Sequence, residues 1–387
     1  MKSQCLISFG SNLGSRDSLI SEAARIIADS PLVDCLLTSR LFETPPIGGP
    51  SGQEPFLNAV AAFETDGSAR QILEMLQSTE QRLGRERKRR WDARSIDLDV
   101  VLHGQLVGGG TGLIVPHPRY TARQFVLQPA CDVAGHYRDP RFGWTITELT
   151  EHLNAAPASI ALTGGSEALR HELCKQISEI HGILSFPSPE SLPTELLAIQ
   201  NTSGTHESSE SRREPIDSHA ASERSSPANQ RAMAAQAAQA TKRRTSQPPP
   251  SPAREADEAD EAVISSDHRQ EPNNPQATVD SGRQFLGDTP WVAGFVPLDE
   301  RLMNRKPSRP AVHATAGLTP RLIGRIQSSA SDTPWPAPHQ MWPSGWNWPE
   351  YRLEIDDKNW AVSELSSAID SMRCPVKPIT EDGRWWV

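Results

Sequence analysis

The chain has 387 residues, a net charge of −9 and a hydrophobic fraction of 36%, against roughly 45–50% for globular chains. That length allows two or three domains, while 33 prolines and the low apolar content point to a substantial unfolded part. The acidic balance argues against nucleic-acid binding along the whole chain, and five widely spaced cysteines with no Cys-x-x-Cys pair exclude a zinc or disulfide framework.

Residues 3–9 alternate in polarity and run into Gly10-Ser11-Asn12-Leu13-Gly14, a strand followed by a turn. The apolar patch before Gly10 is too short for a signal peptide or a membrane span, so no membrane partner and a cytoplasmic location are expected. Helical spacing of Leu19, Ala23, Ile26 and Ile27 predicts a helix over 18–28. A strand over 36–43 stops at Thr44-Pro45-Pro46-Ile47-Gly48-Gly49-Pro50, which must be a loop. A strand over 56–63, a helix over 68–83 closed by Gly84, a strand over 95–102 and a helix from Gln124 follow. This β-α-β-β-α-β order fits an α+β fold, a ferredoxin-like sandwich.

Beyond it, residues 159–180 read as a short strand, a Thr163-Gly164-Gly165-Ser166 turn and a helix. The turn could cradle a phosphate at a helix N-terminus, but it lacks the Gly-Lys-Ser/Thr of a P-loop, and an ordinary turn is the simpler reading. From Pro187 to Gln284 there is no Phe, Trp or Tyr, and Ser, Pro, Ala, Glu and Arg dominate. Such a segment buries too little apolar surface to offset its ordering entropy and is expected to be disordered. Eight of the ten tryptophans then fall between Trp291 and Trp386, with a strand expected over 351–355 and a helix over 360–372. The expected organisation is a first domain over 1–157, a βα extension over 158–186, a linker over 187–284 and a Trp-rich region over 285–387, a small α/β piece. One arrangement joins 159–180 and the Trp-rich end in a single α/β unit.

The most informative stretch is Arg85 to Val101. Residues two apart on a strand share a face, so Asp97 and Asp99 point one way while Ile96, Leu98 and Val100 enter the core. Two carboxylates about 7 Å apart along a strand can hold Mg²⁺, which prefers a few carboxylates plus substrate phosphate oxygens. Seven Lys/Arg residues among positions 82–94 can neutralise a polyphosphate, and Arg grips phosphate through paired hydrogen bonds. Each feature alone also suits a solvated face; together they describe a metal–nucleotide site.

The run Arg94-Ser95-Ile96-Asp97-Leu98-Asp99-Val100-Val101 resembles the signature of the 6-hydroxymethyl-7,8-dihydropterin pyrophosphokinases. Four further matches stand in that family's order: Gly10–Gly14, Glu43–Gly48, Phe56-Leu57-Asn58-Ala59, and Val115-Pro116-His117 followed by Arg123 and Phe125. The resemblance covers residues 2–155. It implies transfer of pyrophosphate from ATP to the hydroxymethyl-dihydropterin in folate biosynthesis, with AMP released. It also implies that Asp97 and Asp99 bind two Mg²⁺ ions and that Arg85 and Arg87, on a mobile loop, hold the phosphates. Gln77, Glu80, Trp91, Arg94, His117 and Arg123 then meet ATP. Phe56 and Phe125 stack on the pterin, and Asn58, Thr44 and the Pro46 backbone satisfy its amide edge.

Asp92 and Pro118 depart from the family pattern, and the loop between Gly84 and Trp91 is one residue short of some relatives. A metal-dependent phosphohydrolase would leave the Thr44–Pro46 loop and the Phe56/Phe125/Asn58 set without purpose. A nucleic-acid-binding scaffold would interleave aromatics with the basic run, and only Trp91 is there, so no nucleic-acid partner is expected. Because every matched residue lies between Asn12 and Phe125, a chain ending near Gly182 is expected to keep its activity.

Overall fold

Strand β1 (Ser3–Ser11) alternates, and its Cys5, Ile7 and Phe9 side chains are buried on one face. Helices α1 (Arg16–Ala28) and α2 (Ala69–Arg82) cover that face with Ile20, Ala23, Ile27, Ile72 and Leu76. Ser68 starts α2 as its cap, accepting from Gln71 N while the Gln71 side chain accepts from Ser68 N. β4 (Phe56–Thr65) and β5 (Asp97–His103) flank β1, both antiparallel to it. In this computed structural model the described residues are 2–48, 52–85, 94–110, 112–193, 289–297, 318–328, 347–355 and 358–387.

The single strand expected over 36–43 is two, β2 (Asp34–Thr38) and β3 (Phe42–Thr44), both antiparallel to β4. The break has a local cause. The Ser39 hydroxyl, buried, accepts from Val60 N and donates to Arg40 O, and such side-chain bonds compete with the ladder. A short hairpin, β6 (Gly108–Gly110) and β7 (Leu113–Val115), follows β5. The antiparallel sheet with two helices on one face is the mixed α/β architecture of the N-terminal part.

A second sheet is parallel throughout. Its strands are β8 (Ser159–Gly164), β9 (Leu184–Phe186), β10 (Trp291–Ala293), β11 (Leu322–Ser328) and β12 (Glu350–Ile355), in the order β12-β11-β8-β10-β9. Strands from both sides of the 194–288 span therefore share one sheet. Ile160-Ala161-Leu162 is a continuous apolar run because such strands are buried on both faces. β9 and β10 are too short to show a period. Helix α5 (Glu167–His181) follows the Thr163–Ser166 turn. A β-carbon on Gly164, at φ 77°, would lie 2.7 Å from Ile326 O. Glycine is therefore required there for close packing of β11. Arg170 donates to the carbonyls of Gly164, Gly165 and Gly294.

Helices α3 (Gln124–Ala134) and α4 (Ile146–Asn154) pack between the sheets, and α6 (Lys358–Arg373) joins them. The sequence reading missed α4, although Thr145 and Glu148 form a capping box that marks its start. One buried cluster runs from Leu6, Val60 and Leu102 of the first sheet through Val126, Leu127 and Leu149. It continues into Ile160, Leu353, Leu365 and Ile369. The described residues before and after the 194–288 span accordingly belong to one compact unit. This argues against the expectation for a chain ending near Gly182, because removing β12 and α6 would expose that cluster to water.

The C-terminal tail returns to the first sheet. β13 (Lys377–Pro378) pairs antiparallel with β3. Trp385 Nε1 donates to Ser39 O at 2.7 Å and Trp386 Nε1 to Thr38 Oγ1 at 2.8 Å. Of the linker expected over 187–284, only residues 187–193 are described, with a short 3₁₀ turn at Pro189–Ser191; Arg87, Trp91 and Asp92 also lie outside the described residues.

Candidate active site

The face of the first sheet opposite α1 and α2 is covered by α3 at one end and open at the other. A cavity there is lined by Ser8 and Gly10 of β1, Asn58 of β4 and Asp97 and Asp99 of β5. Ile96, Leu98 and Val100 are buried on the other face, as the alternation requires. Thr44, Phe56, Arg94, His117, Arg123 and Phe125 complete the set of predicted residues that the cavity brings together. The Thr44–Gly48 loop borders it through Pro45 and Ile47, the two neighbours of Pro46.

Two motifs work by bracing the rim. In the Gly10–Gly14 turn, buried Asn12 accepts from Arg94 N at 2.7 Å and donates to Gln53 Oε1 at 3.0 Å. Ser11 Oγ donates to Ser95 O at 2.6 Å, so the turn fixes the segment that leads into Asp97. Arg16, at the start of α1, donates to Pro55 O and to Glu43 Oε2, tying β3 to the residue just before β4. Within the cavity, Asn58 Nδ2 donates to Thr44 Oγ1 at 2.8 Å. That leaves the amide oxygen as an acceptor for a heterocycle edge, while the Thr44 hydroxyl also meets the Cys374 thiol.

On the acidic side, Asp97 pairs with Arg94 and, at 2.7 Å, with Arg85. Asp99 lies 3.6 Å from Arg123 and 3.8 Å from His117 Nε2. Arg123 also sits over the Phe125 ring at 5.5 Å, in cation–π geometry. His117 Nδ1 accepts from Arg119 N at 3.1 Å, so the neutral ring carries its proton on Nε2, the nitrogen facing Asp99. Burial, then the Arg123 and Arg119 guanidiniums, holds the His117 pKa well below its ordinary value.

Gln77 and Glu80 do not line the cavity. Glu80 is buried; its Oε1 accepts from Leu98 N at 2.8 Å and pairs with Arg85. It reaches the site through the Glu80–Arg85–Asp97 chain rather than directly. The sequence reading missed Arg119, Tyr351, Glu364, Ser367 and Ser371, all of which line the cavity. The last four come from β12 and α6, and no motif in the first domain could have signalled them.

Two strand-borne carboxylates, several arginines and two aromatic rings beside an Asn–Thr pair line one cavity, a donor set of the kind phosphoryl-group transferases use. Residues 6–135 match the family model described as 7,8-dihydro-6-hydroxymethylpterin-pyrophosphokinase (HPPK). The chain is 35% identical over 133 residues to the 2-amino-4-hydroxy-6-hydroxymethyldihydropteridine pyrophosphokinase of Bacillus subtilis, covering 34% of this chain and 79% of that one. It is 34% identical over 145 residues to the enzyme of the same name from Haemophilus influenzae, covering 38% and 89%. Over 147 residues it is 37% identical to the folic acid synthesis protein fol1 of Pneumocystis carinii, covering 38% of this chain and 20% of that one. A solved HPPK-DHPS structure from Plasmodium falciparum aligns with a TM-score of 0.32 and 11% identity, over 54% of this chain and 62% of that one. The chain belongs to the HPPK family.

Proposed function

We infer that the chain transfers the pyrophosphoryl group of ATP to 6-hydroxymethyl-7,8-dihydropterin, releasing AMP, in folate biosynthesis. Membership of the family supports the reaction. The observation that carries it here is a single cavity joining Thr44, Phe56, Asn58 and Phe125 to Arg94, Asp97, Asp99, His117 and Arg123. The strand order β5-β1-β4-β3 supports the ferredoxin-like assignment of residues 1–157. We assign residues 158–186 and 285–387 to an accessory region and the activity to the cytoplasm, in keeping with five free cysteines. Among the described residues no helix is long and apolar enough to cross a membrane.

In this reading the pterin ring stacks between Phe56 and Phe125, whose faces suit a flat heterocycle, and its amide edge meets Asn58 and Thr44. The triphosphate lies toward Arg94, Arg123 and the Nε2–H of His117. Asp97 and Asp99 fit two Mg²⁺ ions that take their remaining ligands from phosphate and water. Among the described residues there is no group of three or more His, Cys, Asp or Glu side chains suited to hold a metal by itself. When bound, Mg²⁺ neutralises charge on the phosphates.

The arginines paired with Asp97 are the groups that meet the phosphates in this reading, so phosphate binding and release of Asp97 to a cation are coupled. The hydroxymethyl oxygen attacks the β-phosphorus in line, the bond from the β-phosphorus to the α,β-bridging oxygen breaks so that AMP leaves with that oxygen, and the hydroxyl proton leaves to solvent. Positioning and charge stabilisation supply the acceleration. Arg85, the last described residue before 86–93, is anchored by Glu80, and we assign Arg87 and Trp91 to the ATP side with it.

The test is a pair of variants. Asn58→Ala removes an amide hydrogen-bond set and should raise KM for the pterin by roughly 10-fold, leaving KM for ATP unchanged. Asp99→Ala should abolish turnover. An Asn58→Ala effect confined to ATP would refute the placement of the pterin.

A further inference from the structure

The loop from Val115 to Arg123 carries His117 and Arg123, and it is held from two sides. On the inner side, His117 N donates to Val101 O at 2.9 Å and Arg119 N to His117 Nδ1. Tyr120 donates its hydroxyl to Asp139 Oδ2 at 2.7 Å, and three further holds come from the C-terminal half. Arg352 N donates to Pro118 O at 3.2 Å, and Thr121 Oγ1 donates to Glu350 O at 2.8 Å. Arg119 Nε lies 2.7 Å from Glu364 Oε2. Glu364 sits on α6 with its side chain 1% exposed, and the Tyr351 hydroxyl is 3.5 Å from the same oxygen. Arg119, Tyr351, Glu364, Ser367 and Ser371 also line the cavity.

A buried carboxylate is costly unless paired, and a pair built across two distant segments fixes both. Glu364 meets two groups that suit this purpose, a guanidinium and a phenol. The guanidinium belongs to the residue two places after His117. Displacing the Arg119 side chain would therefore loosen a loop that bears two groups aimed at the phosphates. Small shifts of such groups are expensive in transfer reactions.

We propose that Glu364, on helix α6, is a positioning residue for pyrophosphoryl transfer: through Arg119 it holds the His117–Arg123 loop against the cavity, so that the C-terminal half completes the active site in cis. This rests on the assignment of the cavity to ATP and the pterin. Glu364 acts on the nucleotide side of the reaction. Its loss appears in turnover and in KM for ATP, while KM for the pterin, set by Asn58 and Thr44, stays where it is.

The experiment uses the full chain and compares wild type with Glu364→Gln, Arg119→Gln, the double variant, Arg119→Lys and Asp99→Ala. Steady-state AMP production gives kcat and both KM values, and thermal denaturation gives Tm. Glu364→Gln should lower kcat/KM for ATP by roughly 10- to 100-fold with an unchanged KM for the pterin. Arg119→Gln should lose a similar amount, and the double variant should be no worse than the worse single one, because contacting partners are not additive.

Losses that add, or wild-type kinetics in Glu364→Gln with only a lower Tm, would overturn the proposal and leave Glu364 a packing residue. Should Glu364→Gln not fold, Arg119→Lys decides. Lysine cannot reproduce the planar fork, so it should lower kcat/KM for ATP at unchanged Tm, and wild-type kinetics would overturn the proposal. Asp99→Ala separates the underlying assignment: wild-type turnover in that variant would remove the substrate placement, and this inference with it.

Discussion

Glu80 offers the most searching test of how the site is supported. Its carboxylate is buried, accepts the Leu98 N–H at 2.8 Å and pairs with Arg85, whose other carboxylate partner is Asp97. Glu80→Ala leaves the buried Leu98 N–H without that acceptor, which costs about 1–3 kcal/mol. It also breaks a buried charge pair, for which removing one partner typically costs about 3–5 kcal/mol. The two costs overlap because one oxygen serves both, so a total of about 3–5 kcal/mol is expected. At roughly 2–4 °C per kcal/mol for a large domain, Tm should fall by on the order of 10 °C. Glu80→Gln keeps an acceptor for Leu98 and removes only the charge, so it should lose about half as much. Urea and thermal denaturation of both variants measure this, beside kcat and KM for ATP. Glu80→Gln should fold, with its kinetic loss mainly in kcat through the displaced Arg85. A wild-type midpoint in Glu80→Ala, or an equal loss in the two variants, would refute the reasoning.

Asp97→Ala and Asp99→Ala should each reduce AMP production to a few per cent or less of wild type while circular dichroism stays unchanged. Activity retained by both would remove the metal assignment. His152 is fully buried, with Nε2–H donating to Arg321 O at 3.0 Å and the rings of Trp144 and Trp348 against it; burial, then Arg321, pushes its pKa well down. The unfolded ring protonates near ~6.5, so stability present above that pH is lost as pH falls, by up to ~1.4 kcal/mol per pH unit. Urea midpoints at neutral and mildly acidic pH check this, and His152→Gln should show a shallower fall. A chain ending at Gly182 should be insoluble or bind a hydrophobic dye, since Leu353, Leu365 and Ile369 are gone from the shared core; a soluble monomer with a cooperative transition would contradict that. Trp385→Ala strips a ring set edge-on to Phe9 at 6.4 Å and its bond to Ser39 O, and about 3 kcal/mol of stability should go with it.

Much of the first domain was legible because its elements are long and regularly patterned. The alternation around Asp97 and Asp99 places both carboxylates on the cavity face, and helical spacing locates α1 and α2 within two residues at each end. Site residues on one motif were legible for the same reason: local order fixes local geometry. What escaped was non-local or short. Thr121 meets Glu350, 229 residues on, and no periodicity links such positions. Trp385 and Trp386 read as part of the Trp-rich region, yet their indole N–H groups are satisfied by Ser39 and Thr38. Ser39 breaks a strand that its apolar neighbours would continue, because its hydroxyl takes over backbone bonding. Glu80 looked like a nucleotide contact, and the buried Leu98 N–H that claims it is invisible without the fold.

The central claim is a pyrophosphoryl transfer in which both substrates occupy the one cavity. Phosphorus NMR of the full chain with ATP, Mg²⁺ and 6-hydroxymethyl-7,8-dihydropterin reads it directly, with each component omitted in turn. AMP and pterin diphosphate should form in equal amounts, with neither product when the pterin or Mg²⁺ is left out. ADP with inorganic phosphate, or AMP formed without the pterin, would contradict it.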